Sequence, residues 1–268
     1  MTGSAPATGR APIVLLHGAT SSARVWDPIL PTLSPKFRVF APSLAGHRGG
    51  PPLPNGSGAV VDRIVDAMCR QLDDAAIDTA HMVGNSLGGW VALELARRGR
   101  ALSVLALSPA GGWRSQRDLR RLLVLFRAGG AIGRAKNMPE LMARKRVRRI
   151  LLLLMAEHAD RMTPAQIAAA FEDMSECTAL AAILGGARDN GPIKAMPDVA
   201  CRIRIAWGGK DRMLPFMRYG APMLAAVPEA EFKLIPGVGH VPMIDDPALV
   251  ANTILDFVET TDSAMKSR

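Results

Sequence analysis

The stretch "HMVGNSLGGWVALELA", His81 to Ala96, decides how this chain is read. An apolar run ends at Gly84 and helical periodicity begins near Leu87. Between them stands one serine, Ser86, fenced by Gly84, Gly88 and Gly89. Glycine inside a regular element weakens it, so three at one corner answer a demand for room. A strand that turns sharply into a helix makes that demand. The side chain at the apex stands clear of the sheet, and its neighbours must be small for the helix to pack back on the strand. The helix N-terminus brings positive partial charge and free N–H groups beside the serine. The Leu87 N–H is then aimed where an oxyanion would form.

Outward from this corner, short apolar runs alternate with helix-like segments. Pro12–Gly18, Arg38–Pro42, Ala80–Gly84, Leu102–Ser108, Arg202–Gly208 and Glu231–Gly237 read as strands. Helices are expected over Val60–Ile77, Leu87–Arg98 and Phe216–Ala226, with a last one from Pro247. Strands with few charges joined by helices imply an α/β protein with a mostly parallel sheet covered on both faces. Between Gly111 and Pro197 no strand is expected. That interval offers helix-like pieces at Arg117–Phe126, Pro139–His158 and Pro164 to about Arg188, the last opened by Thr163-Pro164 as N-cap and first helical residue. So long an insertion exceeds what a crossover needs. Residues 112–196 are therefore expected to form a helical lid over a core of residues 1–111 and 197–268. The Gly/Pro-rich loop Gly46–Gly58 reads as a surface excursion.

A serine hydroxyl needs a base, and the base an orienting acid. Of the five histidines, His240 in "IPGVGHVPMIDDP" follows the sixth strand, and Asp211 in "AWGGKDRMLP" follows the fifth. Both thus lie at the carboxyl edge that carries Ser86, in the chain order Ser86, Asp211, His240. Asp245 and Asp246 precede Pro247 and read as caps of the last helix. His17 reads as structural and His47 as part of an exposed loop, while His81 and His158 show no partner signal.

With these motifs in order, the sequence resembles the α/β-hydrolase superfamily of serine hydrolases and esterases. "HGATS" (His17–Ser21) matches its oxyanion loop, "GNSLGG" its nucleophile elbow, and "GGKDRMLP" and "GVGHVPMIDDP" its acid and histidine loops. The resemblance spans about Pro12 to Glu259. It implies Ser86 as nucleophile, His240 as general base and acid, Asp211 as orienting carboxylate, and the backbone N–H groups of Ala19 and Leu87 as the oxyanion hole. Only a dozen residues precede the first strand, so the family's first two strands are expected to be absent. That leaves six, in the order 4-3-5-6-7-8 by family numbering. Ser43 stands where the family usually begins a loop with Asp. A serine nucleophile and a single tyrosine, Tyr219, disfavour the dehalogenase and epoxide hydrolase branches. "HGATSS" departs from the HGxGPG of the carbon–carbon bond hydrolases, which demotes that branch.

The expected reaction is hydrolysis of a carboxylic ester or related acyl compound through an acyl-enzyme, with no metal or organic cofactor. The alternatives are carbon–carbon bond or lactone hydrolysis by the same residues, and a ligand-binding, receptor-like member with little turnover. Trp113, Met213 and Met155 are candidate pocket residues, with Met138, Met142 and Leu152 behind them, and a Leu- and Met-rich lid suggests an apolar acyl substrate. The net charge of +9 peaks at "RKRVRR", Arg144–Arg149, a segment expected to be a solvated helix face. Aromatics at 4 % leave few platforms for stacking bases, so no nucleic-acid partner is expected. Three scattered cysteines, no signal-peptide pattern at the N-terminus and no apolar run long enough to span a bilayer point to a cytoplasmic protein with no membrane span. The oligomeric state is left open, a homodimer through an apolar lid surface being one arrangement allowed.

Overall fold

The apolar runs become the six strands of one parallel sheet in a computed structural model, which describes residues 10–133 and 138–267. They are β1 (Ile13–Leu16), β2 (Val39–Phe40), β3 (Ala80–Asn85), β4 (Ala101–Leu107), β5 (Arg202–Gly208) and β6 (Glu231–Ile235), in spatial order β2-β1-β3-β4-β5-β6. This is the expected order, although β2 keeps only two paired residues. The N-terminal stretch searched for a signal peptide falls in part on residues 1–9, outside the described residues.

Successive side chains of a strand point to opposite faces, and β1 shows the consequence. Val14 and Leu16 join one core with Met82, Val104, Ile205 and Trp207. Ile13 and Leu15 join the other with Val83, Leu105 and Ala206. The first face is covered by α2 (Val60–Asp74), α3 (Leu87–Arg97) and α9 (Phe216–Ala226). The second is covered by the short α1 (Leu30–Leu33) and the long α11 (Pro247–Lys266). The two-sided cover explains why β3 is buried at every residue.

Between β4 and β5 the regular elements among the described residues are helices, the α-helices being α4 (Gln116–Gly133), α5 (Met138–Ala143), α6 (Lys145–Leu151), α7 (Pro164–Ser175) and α8 (Leu180–Asn190). Two long helices expected there are broken, the first at Arg144 and again after Leu151, the second after Ser175. Past α6 the Glu157 and His158 N–H groups leave the helical ladder to donate to the Asp245 carboxylate. Past α7 the Ala179 N–H donates to Gly46 O, and the Thr178 hydroxyl donates to the same carbonyl. Thr163 caps α7 as expected and completes a reciprocal box with Gln166. The basic cluster is not a uniform solvated face. Arg144, Lys145, Arg146 and Arg149 are exposed, but Arg148 is buried and donates to the carbonyls of Met142, Ala159 and Asp160. The loop from Gly46 also starts inside: His47 is buried, its ring edge-on to His17 at 5.1 Å, and the loop is exposed at Gly49, at Pro52 and from Asn55 to Gly58.

The glycines around Ser86 are required by backbone, not by side chains. A Cβ on Gly84 would lie 2.2 Å from Gly88 O, and one on Gly88 would lie 2.1 Å from Leu16 O. Gly88→Ala is therefore expected to destabilise the fold by about 3 kcal/mol or more, while Gly58→Ala, which meets nothing, changes stability by less than about 0.5 kcal/mol. Urea unfolding of both variants checks the contrast.

Candidate active site

Ser86 sits between β3 and α3 with φ 55° and ψ −116°, a conformation that L side chains rarely adopt. Its backbone is pinned on both sides, the N–H donating to Leu107 O and the carbonyl accepting from Ala110 N. It occupies the N-cap of α3, yet its side chain makes no capping bond, so the hydroxyl is left to other chemistry. Gly18 of the HG loop comes so close that a Cβ there would lie 3.2 Å from Ser86 Cβ.

His240 and Asp211 meet at the same edge. His240 Nδ1 lies 2.8 Å from Asp211 Oδ2, and both residues are buried. The proton belongs on Nδ1 facing the carboxylate, which leaves Nε2 with a lone pair. The other carboxylate oxygen of Asp211 accepts from Leu214 N at 2.7 Å, so this residue serves its own turn and the histidine together. Among the described residues no hydrogen bond joins Ser86 to His240; the two instead line one cavity.

That cavity is lined almost wholly by apolar groups. Ser86, Leu87, Ala19 and His240 are among its lining residues. α3 gives Trp90, α4 gives Leu119, Leu122, Leu123 and Phe126, and α8 gives Leu180, Ile183 and Leu184. Trp113 and Met213, both anticipated, are on its wall, and Trp113 meets Trp90 edge-on at 5.6 Å. Met155 is not among the lining residues; its backbone carbonyl accepts from Val241 N instead. Met138 and Met142 pack with Ala156, Ala159, Met162 and Ile167 in a separate cluster of the insertion, with Leu152 against it.

Several residues around the site escaped the sequence reading. Asn85 is buried, and its amide donates to both Leu107 O and His240 O, tying the histidine backbone to β4. Gly111 and Gly112 shape the wall, since Cβ atoms there would strike the Trp90 ring and Tyr219 O. Asp245 caps nothing and accepts three backbone N–H groups, whereas Asp246 does cap α11. His81, for which no partner was foreseen, bridges Ser103 and Asp262. No cluster of three or more metal-ligating side chains occurs among the described residues, and no helix among them is long and apolar enough to cross a membrane.

A model of the alpha/beta hydrolase family matches residues 13–253. The chain belongs to the alpha/beta hydrolase family. It is 32 % identical over 200 residues to the epoxide hydrolase EphH of Mycobacterium tuberculosis, covering 73 % of this chain and 94 % of that one. It is 28 % identical over 256 residues to the pimeloyl-[acyl-carrier protein] methyl ester esterase of Aromatoleum aromaticum, covering 93 % and 98 %. Among solved structures, a thermophilic esterase from Thermogutta terrifontis superposes with a TM-score of 0.72 at 20 % identity, over 94 % of this chain and 90 % of that one. With this six-stranded sheet and these relatives, the protein is a hydrolase of the family.

His17 holds the HG loop in place with both of its ring nitrogens. Its Nδ1–H donates to Gly18 O and its Nε2 accepts from Leu44 N, so both nitrogens of the neutral ring are used. Burial, with His47 beside it, lowers its pKa to about 3. A histidine depressed from 6.5 stabilises the fold fully above pH 6.5 and loses that contribution as pH falls toward 3, at about 1.4 kcal/mol per pH unit. Denaturant midpoints of the wild type are therefore expected to drop between pH 6.5 and pH 4.5 more steeply than those of His17→Gln, which starts lower at pH 7.

Proposed function

We propose that the protein is a serine hydrolase that cleaves an uncharged, apolar carboxylic ester through a Ser86–His240–Asp211 triad, with residues 112–196 acting as the lid. The observation that carries this is the cavity where Ser86 and His240 meet side chains that are otherwise apolar, joined to the Asp211–His240 bond. Ser86 Oγ attacks the ester carbonyl while His240 Nε2 takes its proton. The Ala19 and Leu87 N–H groups hold the oxyanion. The C–O bond breaks, the imidazolium returns its proton to the departing alcohol, and water, activated by the same nitrogen, hydrolyses the acyl-enzyme.

Among the described residues the cavity wall carries no Lys or Arg, and an unpaired carboxylate in such surroundings is costly. A charged acid group on the buried end of the substrate is thereby selected against. This disfavours carbon–carbon hydrolysis of acidic diketones, while an uncharged lactone suits the wall as well as an open ester does. Epoxide hydrolysis, the activity named for the Mycobacterium relative, is disfavoured by a serine at the elbow. The single tyrosine argues the same way, as Tyr219 does not line the cavity and spends its hydroxyl on Asp118 O at 3.0 Å.

Hydrolysis of p-nitrophenyl esters from acetate to long acyl chains tests the reading. Turnover is expected to peak at one chain length and to fall by about four orders of magnitude or more in Ser86→Ala. An ester with a terminal carboxylate in place of the terminal methyl is expected to lose about 100-fold or more in kcat/KM. Turnover retained in Ser86→Ala would sink the assignment. A ligand that raises Tm while no ester or lactone is cleaved would replace it with a binding role.

A further inference from the structure

Four residues of the insertion, Met155–His158, join the two loops that carry Asp211 and His240. Val241 N donates to Met155 O at 2.8 Å. Gly239 lies so close to this strap that a Cβ on it would meet Glu157 N at 3.0 Å and Ala156 Cα at 3.1 Å. Arg212, next to Asp211, pairs with Glu157, which also meets Arg149 at 3.4 Å. At the centre is Asp245, the last residue of the short α10 (Pro242–Asp245), whose side chain is buried. Its Oδ2 accepts from Gly239 N at 2.6 Å and Glu157 N at 3.2 Å, and its Oδ1 accepts from His158 N at 2.6 Å. The Arg161 guanidinium donates to its backbone carbonyl at 2.9 Å.

We propose that Asp245 is a positioning residue for His240, clamping the backbone just before the imidazole to the Met155–His158 strap. This rests on the triad proposed above. The physical need is local. Gly239 has the freest backbone of any residue type, and a general base carried beside it requires anchoring from elsewhere. Charge-assisted bonds to backbone N–H groups are stronger than neutral ones, and Asp245 spends both carboxylate oxygens on them. Asn85 holds the other side, its amide on the His240 carbonyl. Asp211 fixes the ring and Asp245 fixes the loop, so the two carboxylates divide one task. Asp245 accepts no proton in the reaction; it acts through His240 alone. Because the strap also pairs with Arg212, the acid and histidine loops are held in register by the same four residues.

Asp245→Asn separates this role from simple loss of fold. An amide keeps one acceptor and turns the other into a donor facing an N–H, so one side of the clamp must release. Ester hydrolysis is measured per active site, with sites counted by the stoichiometry of a fluorophosphonate label. The expected result is a fall of about tenfold or more in kcat per labelled site, with KM within about twofold. The acidic limb of the kcat/KM pH profile keeps its midpoint, since Asp211 still faces Nδ1. Gly239→Ala, which leaves the carboxylate in place but forces the strap away, is expected to do the same and decides the matter if Asp245→Asn does not fold. A kcat per labelled site within about twofold of wild type, or a loss confined to KM, would overturn the proposal. Failure of the wild type to label, or turnover by Ser86→Ala, would overturn the triad instead, so the two failures are told apart.

Discussion

Backbone touching backbone at the turn between β3 and α3 is the constraint on which the rest depends. Gly84 lies against Gly88, and Gly88 lies against the carbonyls of Leu16 and His17, at separations that leave no space for a methyl group. Because α3 can approach so closely, the end of β3, the start of the helix and the HG loop after β1 converge on one point. That point is where Ser86 and Gly18 meet and where the cavity opens. A side chain held at φ 55° survives only when its surroundings over-determine it. Here β4 and the segment after it bond both the N–H and the carbonyl of Ser86.

The insertion is held on the core by polar contacts as well as apolar ones. Arg24 and Arg48 pair with Glu172, Asp173 and Glu176 of α7 and the residue after it, and Ser22 donates to the buried Asp173 at 2.8 Å. Exposed pairs of this kind contribute little each, but Asp173 is enclosed and collects two donors. This seam lies next to the HG loop, and the strap at Met155–His158 lies next to the histidine loop. The insertion is therefore tied to the core at two places, one beside the HG loop and one beside the His240 loop. The face it turns inward, from α4 and α8, supplies seven of the residues that line the cavity.

The sheet was legible because its signals are local. Six apolar runs and the glycine-fenced serine follow from periodicity, turn chemistry and a motif whose spacing has mechanical content, while the strand order is what the family resemblance implies. The pairing of Asp211 with His240 was foreseeable as well, since both follow strands that end at the same edge. What stayed hidden depends on partners far along the chain. Nothing in "IDDP" distinguishes Asp246, which caps α11, from Asp245, which reaches residues 157 and 158. The breaks after α6 and α7 were invisible for the same reason: the segments that follow are bonded to Asp245 and Gly46, residues far away in the chain. Arg148 was indistinguishable from its exposed neighbours until its three carbonyl partners were in view. Met155 looked like a pocket residue because side-chain type says nothing about direction.

The backbone of Ser86 has a further consequence for how such a protein changes over generations. Glycine adopts that conformation at far less steric cost than any other residue, so the residue proposed to do the chemistry is one the fold itself would not select. Mutations that relax a strained functional position commonly raise stability while removing activity. A lineage released from the need for turnover would find loss of this serine to be energetically downhill, with the sheet, the cavity and the cover over it left intact. Descendants of that kind would keep an apolar chamber of the same shape and could be turned to holding a molecule without cutting it.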